Sequence, residues 1–283
     1  MRIDLHTHST CSDGTLTPAE VIAAAAAADL DVVALTDHDT TAGWQEASAA
    51  AEAAGIRLVG GIEISCRWYG AMPAIPLHLL AYLVDPADEA LAAELARVRD
   101  ARVHRAERMV DLMRADGIDV TMDEVRGYAA GGTIGRPHLA QALIRRGLAG
   151  TVGEAFAPHL LGERWRVPKD DVDVFRALEL VRAAGGVPVF AHPRATVRGR
   201  VVPDELIAMM AAAGLAGLEA DHADHTPAQR AEVRALAADL GLVVTGSSDF
   251  HGANKTIPIG ADLTAPSAYE AILAAARPAR VAG

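Results

Sequence analysis

Short β-rich runs alternate with alanine-rich helical stretches along most of this chain, and that rhythm constrains its fold more than any other feature. The candidate strands cover residues 2–6, 31–36, 57–63, 76–83, 187–191, 217–220 and 243–246. Between the first two, Thr17-Pro18-Ala19-Glu20 reads as a capping box with proline at the first helical position. That helix ends near Asp29, and a second, starting at about Gly43, stops at Gly55 and leads directly into IRLVGGIE. Repeated β–α units with short connections imply parallel strands joined by right-handed crossovers. The expected class is α/β, a barrel-like fold of seven such units, complete or incomplete.

One stretch breaks the rhythm. A long helical pattern over about 87–114 is followed by roughly 70 residues without a clear strand, including GRPHLAQALIRRG and TVGEAFAPHLLG. We expect a small helical subdomain at 99–167, inserted into a barrel formed by 1–98 and 168–283. At 283 residues the chain fits one α/β barrel, and with 51% hydrophobic residues but only 4% aromatic, Ala, Leu and Val must fill its core.

The net charge of −11 argues against tight duplex nucleic-acid binding, though a local metal cluster can reverse the field within one cleft. Cys11 and Cys66 form no CxxC pair, which fits a reducing compartment. The start lacks the features of a signal peptide, and the apolar run VIAAAAAADL is too short to span a bilayer. A cytoplasmic protein without membrane contacts is expected.

Metal-capable side chains fall where this fold places active sites. His6 ends the first strand, Asp37 and His38 follow the second, and Glu63 ends the third. His192 follows VPVFA, and Asp249 and His251 follow VVTGSS. In a parallel barrel these ends share one mouth. His78, near the start of its run, fits less neatly. One strand-end histidine is ordinarily structural, and the His6–His8 pair alone shows only two residues on one side of a strand. Together, six of the eleven histidines join Asp13, Glu63 and Asp249 in strands or strand-end loops. Mixed imidazole and carboxylate donors suit Mn, Zn or Fe better than Ca, and nine donors exceed a single tetrahedral site.

The motifs HTHSTCSDG, LTDHDT, GIEIS, HLLAYLVD, AHPR and SSDFHG resemble, in order, those of the PHP (polymerase and histidinol phosphatase) domain family. The resemblance implies a distorted (β/α)7 barrel with two to three divalent transition-metal ions at the mouth, manganese first among them, with zinc or iron as alternatives. It implies nine ligands: His6, His8, Asp13, His38, Glu63, His78, His192, Asp249 and His251. His6, His8, Glu63 and Asp249 would serve one ion. Glu63 would bridge to a second held by His78 and His192, with Asp13, His38 and His251 holding a third. The insertion carrying TIGRPHLA and the segment GLEADHADHTPAQ resemble the small stand-alone phosphoesterases of the family. These include enzymes for nucleoside 3′,5′-bisphosphates and for the 5′ ends of short RNA.

Phosphate monoester hydrolysis needs charge neutralisation and a strong nucleophile. The expected reaction is in-line attack by a metal-bridging hydroxide on a small nucleotide or short oligonucleotide, with Asp13, Glu63, His192 and His222 as the catalytic set. His222, His225 or a metal-bound water protonates the leaving group. Asp37 either orients a ligand imidazole or caps the following helix. Arg136, Arg194, His222 and His225 are the candidate substrate contacts; His104, His138 and His159 fall on helical segments, and Lys169-Asp170-Asp171 reads as a helix-start charge cluster. No catalytic role is assigned to Cys11. The rivals are a phosphatase for histidinol phosphate or another small metabolite, a carbon–nitrogen hydrolase and a non-catalytic metal-stabilised module. The second needs a strand-end lysine that the sequence does not offer, and the third is disfavoured by the intact donor set.

Overall fold

The computed structural model describes residues 1–277. Its strands are β1 (Ile3–Thr7), β2 (Val32–Leu35), β3 (Arg57–Trp68), β4 (Ile75–Tyr82), β5 (Val172–Asp173), β6 (Val187–Phe190), β7 (Gly217–Asp221) and β8 (Val243–Gly246). They form one sheet in the order β1-β2-β3-β4-β6-β7-β8, with β5 pairing the far end of β3. The sheet curls into a nearly closed barrel. Its ends meet where Thr7 bridges Phe250 and the His8 amide donates to the Phe250 carbonyl at 2.8 Å.

Local chemistry sets the helices. α1 (Pro18–Ala27) starts at the expected capping box: Thr17 Oγ1 accepts from the Glu20 amide, and a Glu20 carboxylate oxygen accepts from the Thr17 amide at 2.8 Å. α2 (Trp44–Ala54) ends at Gly55, whose φ of 71° is easy only without a Cβ. Val21, Ile22 and Ala25 of α1 pack with Ala47 and Ala51 of α2 over Val33 and Leu35 of β2. Alanine lets these helices lie close to the sheet.

One strand runs against the expected direction. β4 is antiparallel to both neighbours, with Ser65 opposite His78 and Leu79 opposite Phe190. The reason is that β3 does not stop at Glu63 but continues to Trp68 and turns back through residues 69–74. That connection is too short for a crossover, which takes a dozen residues or more. The start of β4 therefore lies at the mouth, so His78 belongs there.

Because β4 ends at the floor of the barrel, the next helix must climb. α3 (Glu89–Ala115) starts beside the Asp85–Ala184 backbone bond at the floor. Its first half buries Leu91, Leu95 and Val98 in the barrel core; its second half buries Ala106, Met109, Val110 and Met113 in a separate cluster. That second cluster is completed by α4 (Met122–Ala129), α5 (Arg136–Arg145), α6 (Val152–Ala155) and the turns reaching Trp165 and Val167. Asp39 anchors α3 at the rim: its carbonyl accepts from Arg99 at 2.7 Å and its carboxylate from Arg102 Nε at 2.8 Å.

The remaining helices, α7 (Val174–Ala183), α8 (Asp204–Ala212), α9 (Pro227–Leu240) and α10 (Pro266–Ala275), close the outer layer. Among the described residues, no helix is long and apolar enough to cross a membrane.

Candidate metal centre

Glu63 is the hub. Its Oε2 faces three imidazole nitrogens, His6 Nε2 at 3.3 Å, His8 Nε2 at 3.1 Å and His38 Nδ1 at 3.3 Å. Its Oε1 faces two more, His78 Nδ1 at 2.7 Å and His192 Nε2 at 3.0 Å. Asp249 Oδ1 lies 3.4 Å from His6 Nε2 and 3.3 Å from His8 Nε2, while Asp13 Oδ1 lies 3.3 Å from His251 Nε2. All nine candidate ligands from sequence thus gather at one mouth.

Three overlapping donor groups have ligand atoms within 4.8 Å of one another: His6, His8, Glu63 and Asp249; His8, Asp13, His38 and His251; and His38, Glu63 and His78. The first matches the set implied by the family resemblance. The other two differ in detail, since His8 also joins the Asp13 group and His38 stands between the Asp13 and Glu63 groups.

The donors fit metal ions better than they fit one another. His38 Nδ1, His78 Nδ1 and Asp249 Oδ1 are buried without a hydrogen-bond partner. Each such atom costs about 1–3 kcal/mol, which a shared cation removes. Burial favours the neutral acid, yet His78, His38 and His6 hold the Glu63 carboxyl well below the usual carboxylate range. Lys255 and His6 do the same for Asp249, and His251 and His38 for Asp13. Burial and then Arg198 push His192 down to about 3, leaving the neutral imidazole that ligation requires.

Surrounding side chains fix these ligands. Glu219 on β7 lies 3.0 Å from His6 Nδ1, and its other oxygen accepts from the His192 amide at 2.8 Å. With the proton on Nδ1, His6 Nε2 is free to ligate. Asp37 neither caps a helix nor touches a ligand ring: it accepts from the Ser9 amide, the Ser9 hydroxyl and the Ser12 hydroxyl, with Ser12 Oγ 3.3 Å from His8 Nδ1. His192, Asp249 and Asp39 all have positive φ, a costly backbone for non-glycine residues that this packing sustains.

The candidate substrate contacts divide. His222 is at the centre: its Nδ1 accepts from the Asp224 amide at 2.9 Å, so its proton sits on Nε2, 3.2 Å from Asp249 Oδ2. Arg194 is turned away, its guanidinium bonded to Glu232, Asp204 and the Val202 carbonyl. His225 is also committed elsewhere. Its Nδ1 donates to the Ala220 carbonyl and its Nε2 accepts from the Arg194 amide, so both nitrogens hold loops together. Arg136 lies over the Phe156 ring, 4.7 Å from its centroid, in the helical segment. His138 is buried and accepts from the Gly135 amide, closing the start of α5, while His104 is exposed beside Glu107.

Two cations went unassigned in the sequence. Arg198 contacts Asp249 Oδ2 at 2.5 Å and His192 Nε2 at 3.1 Å, and Lys255 Nζ lies 2.5 Å from the same Asp249 oxygen. Lys255, six residues past Asp249, is thus part of the centre as an ion-paired cation. A lysine within a few residues of a ligand motif was the available signal; for Arg198, six residues past His192, there was none.

Comparison with known proteins agrees with this geometry. Residues 4–110 match the PHP domain family. A 3′,5′-nucleoside bisphosphate phosphatase of Chromobacterium violaceum is 36% identical over 88% of this chain and 87% of its own length. A 5′-3′ exoribonuclease of Haemophilus influenzae is 34% identical over 93% and 94%. A crystal structure from Bifidobacterium adolescentis, described as a putative metal-dependent phosphoesterase, superposes with a TM-score of 0.92 at 36% identity, covering 97% of this chain and 96% of that one. A Chromobacterium violaceum structure described as an amidohydrolase with bound SO4 and no metal gives 0.84 at 32% identity, covering 99% of each chain. The histidine- and carboxylate-rich mouth and the likeness along nearly the full length lead to one conclusion: the chain belongs to the PHP-domain family of metal-dependent phosphoesterases.

Proposed function

We propose that the protein hydrolyses a phosphate monoester of a small nucleotide, a nucleoside 3′,5′-bisphosphate or the 5′ end of a short RNA. The observation that carries this reading is the double-sided Glu63 carboxylate, with imidazole nitrogens facing both of its oxygens. Divalent ions held there, manganese being our choice, would supply a water of lowered pKa and neutralise phosphate charge. His6, His8, Glu63 and Asp249 would hold one ion, Glu63 with His78 and His192 a second, and Asp13, His38 and His251 a third.

The protein's own groups supply the rest. Arg198 and Lys255 present cationic N–H donors where a phosphate oxygen would lie, and Arg's planar fork suits that anion. His222 holds a proton on the nitrogen facing the centre, placed to pass it to the leaving oxygen. The segment 99–167 covers the mouth as a substrate-capping subdomain. Both cysteines are free, which supports a cytosolic setting.

The test is a substrate comparison on manganese-loaded protein. The kcat/KM for a nucleoside 3′,5′-bisphosphate should exceed that for histidinol phosphate at least tenfold. The reverse order would assign the protein to small-metabolite phosphatases.

A further inference from the structure

Asp13 stands apart from the other eight candidate ligands. It lies six residues past Thr7, the end of β1, farther from its strand than any of the others. Its carboxylate must nonetheless meet His251, 3.3 Å away, and His38, 3.8 Å away. The turn that carries it is closed on the inside by local bonds. The Ser12 and Gly14 amides both donate to the Ser9 carbonyl, at 3.1 and 2.9 Å. What holds its outer side comes from the helical insertion.

Three contacts make that hold. The Thr133 amide donates to the Cys11 carbonyl at 2.8 Å. His138, in the first turn of α5, is buried, and its Nδ1 accepts from the Gly135 amide at 3.0 Å. Burial keeps this ring neutral, and the Ser12 backbone accepts a hydrogen bond from it. Three residues further along α5, Gln141 Nε2 donates to Asn254 Oδ1 at 3.2 Å. Asn254 Nδ2 in turn donates to the Asp13 carbonyl at 2.8 Å. Asn254 closes the short turn 252–254 that directly follows the ligand His251. One amide thus links the loop of Asp13, the loop of His251 and the insertion. Its direction is fixed, because an asparagine amide has one donor end and one acceptor end. With Nδ2 turned to Asp13, Oδ1 faces α5 and needs a donor, which Gln141 provides.

We propose that Gln141 and Asn254 are positioning residues for Asp13. The ion of the His8, Asp13, His38 and His251 group is then held at full strength only while α5 is seated on the loop. The insertion has a part in building the metal centre as well as in covering it. This rests on the metal-dependent reading of the mouth and on no particular substrate.

The probe is manganese(II) alone, added to the metal-stripped full chain and followed by calorimetry. Asp13→Asn identifies the binding step that depends on Asp13. Asn254→Ala should weaken that step by about tenfold, the lower end for an outer partner of a metal ligand, and leave the other steps unchanged. Gln141→Glu sets an acceptor against Asn254 Oδ1. It should weaken the same step by about threefold, within the range of one hydrogen bond, although its negative charge alone would strengthen cation binding. Gln141→Lys keeps an N–H donor there and should bind nearer to wild type, the reverse of the order that charge dictates. The pair Gln141→Glu with Asn254→Ala should cost no more than Asn254→Ala alone, because the two side chains act in series. Wild-type strength of the Asp13-dependent step in both Asn254→Ala and Gln141→Glu would overturn the relay and leave the metal centre standing, whatever their melting temperatures. An equal loss at every step would mark a general fold defect and overturn it as well. A binding curve unaltered by Asp13→Asn would remove Asp13 from the ligand set, and the relay with it.

Discussion

Glu63 is the residue whose chemistry is least replaceable. Its two oxygens face five imidazoles, so an amide there would turn N–H groups toward nitrogens that need a cation or an acceptor. Glu63→Gln should lower kcat by at least about a hundredfold, in line with losing a central electrostatic group, and should reduce the metal retained after gel filtration. Arg136→Ala, farther from the reacting atoms, should cost about tenfold, expressed mainly in KM. Similar modest losses in both would argue against Glu63 as a bridge. At this scale the sequence was informative about ligands and uninformative about side-chain direction. Five of the nine donors lie in HxH, DH and DFH motifs, and Asp13, Glu63, His78 and His192 came from their places in or after strands and from the family resemblance. Arg194 follows a ligand yet points into an ion pair with Glu232, whereas Arg198 returns to the centre, and a linear spacing holds no record of either rotation. Glu219 was quoted within its motif, but only the structure reveals that it fixes His6.

At the scale of elements, seven of the eight strands were legible from β-rich runs between turn signals, the two-residue β5 being too short to show, and the capping box at Thr17 was found as read. The direction of β4 was not, because β3 was cut short at Glu63. Apolar residues continue through Ile64 and Cys66, and the turn lies in residues 69–74, so β3 extends five residues past the expected boundary at Glu63. The other element-level dependence is the contact between helical segment and site loop. A Cβ on Gly132 would lie 2.3 Å from the Thr10 carbonyl oxygen, and the next residue, Thr133, donates its amide to the Cys11 carbonyl at 2.8 Å. Gly132→Ala should therefore lift the segment off the HTHSTC loop. We expect a destabilisation of about 1–3 kcal/mol, typical of overpacking, read as a lower Tm, with faster proteolysis between α4 and α5 than elsewhere.

For the whole molecule, the buried carboxylates and histidines make folding and metal binding one equilibrium. Protein purified without chelator should contain two to three transition-metal ions by elemental analysis, and an active protein free of metal would reject the mechanism. Chelation should lower Tm, because a ligand at a hundred times its Kd contributes about 2.7 kcal/mol to the folded state. Restoring manganese should recover both Tm and activity. The extended climb of α3 ties the barrel core to the rim of this centre. One continuous helix is rooted among Leu91, Leu95 and Val98 below and carries Arg102 and Arg105 above. It behaves as a ruler. Adding one residue between Val98 and Arg102 would raise the cations by about 1.5 Å and swing them about 100° around the axis, out of reach of the mouth. Adding seven would bring them back to the same face roughly 10 Å higher. The length of this helix, in whole double turns, thus sets how far above the barrel core its two arginines stand at the mouth.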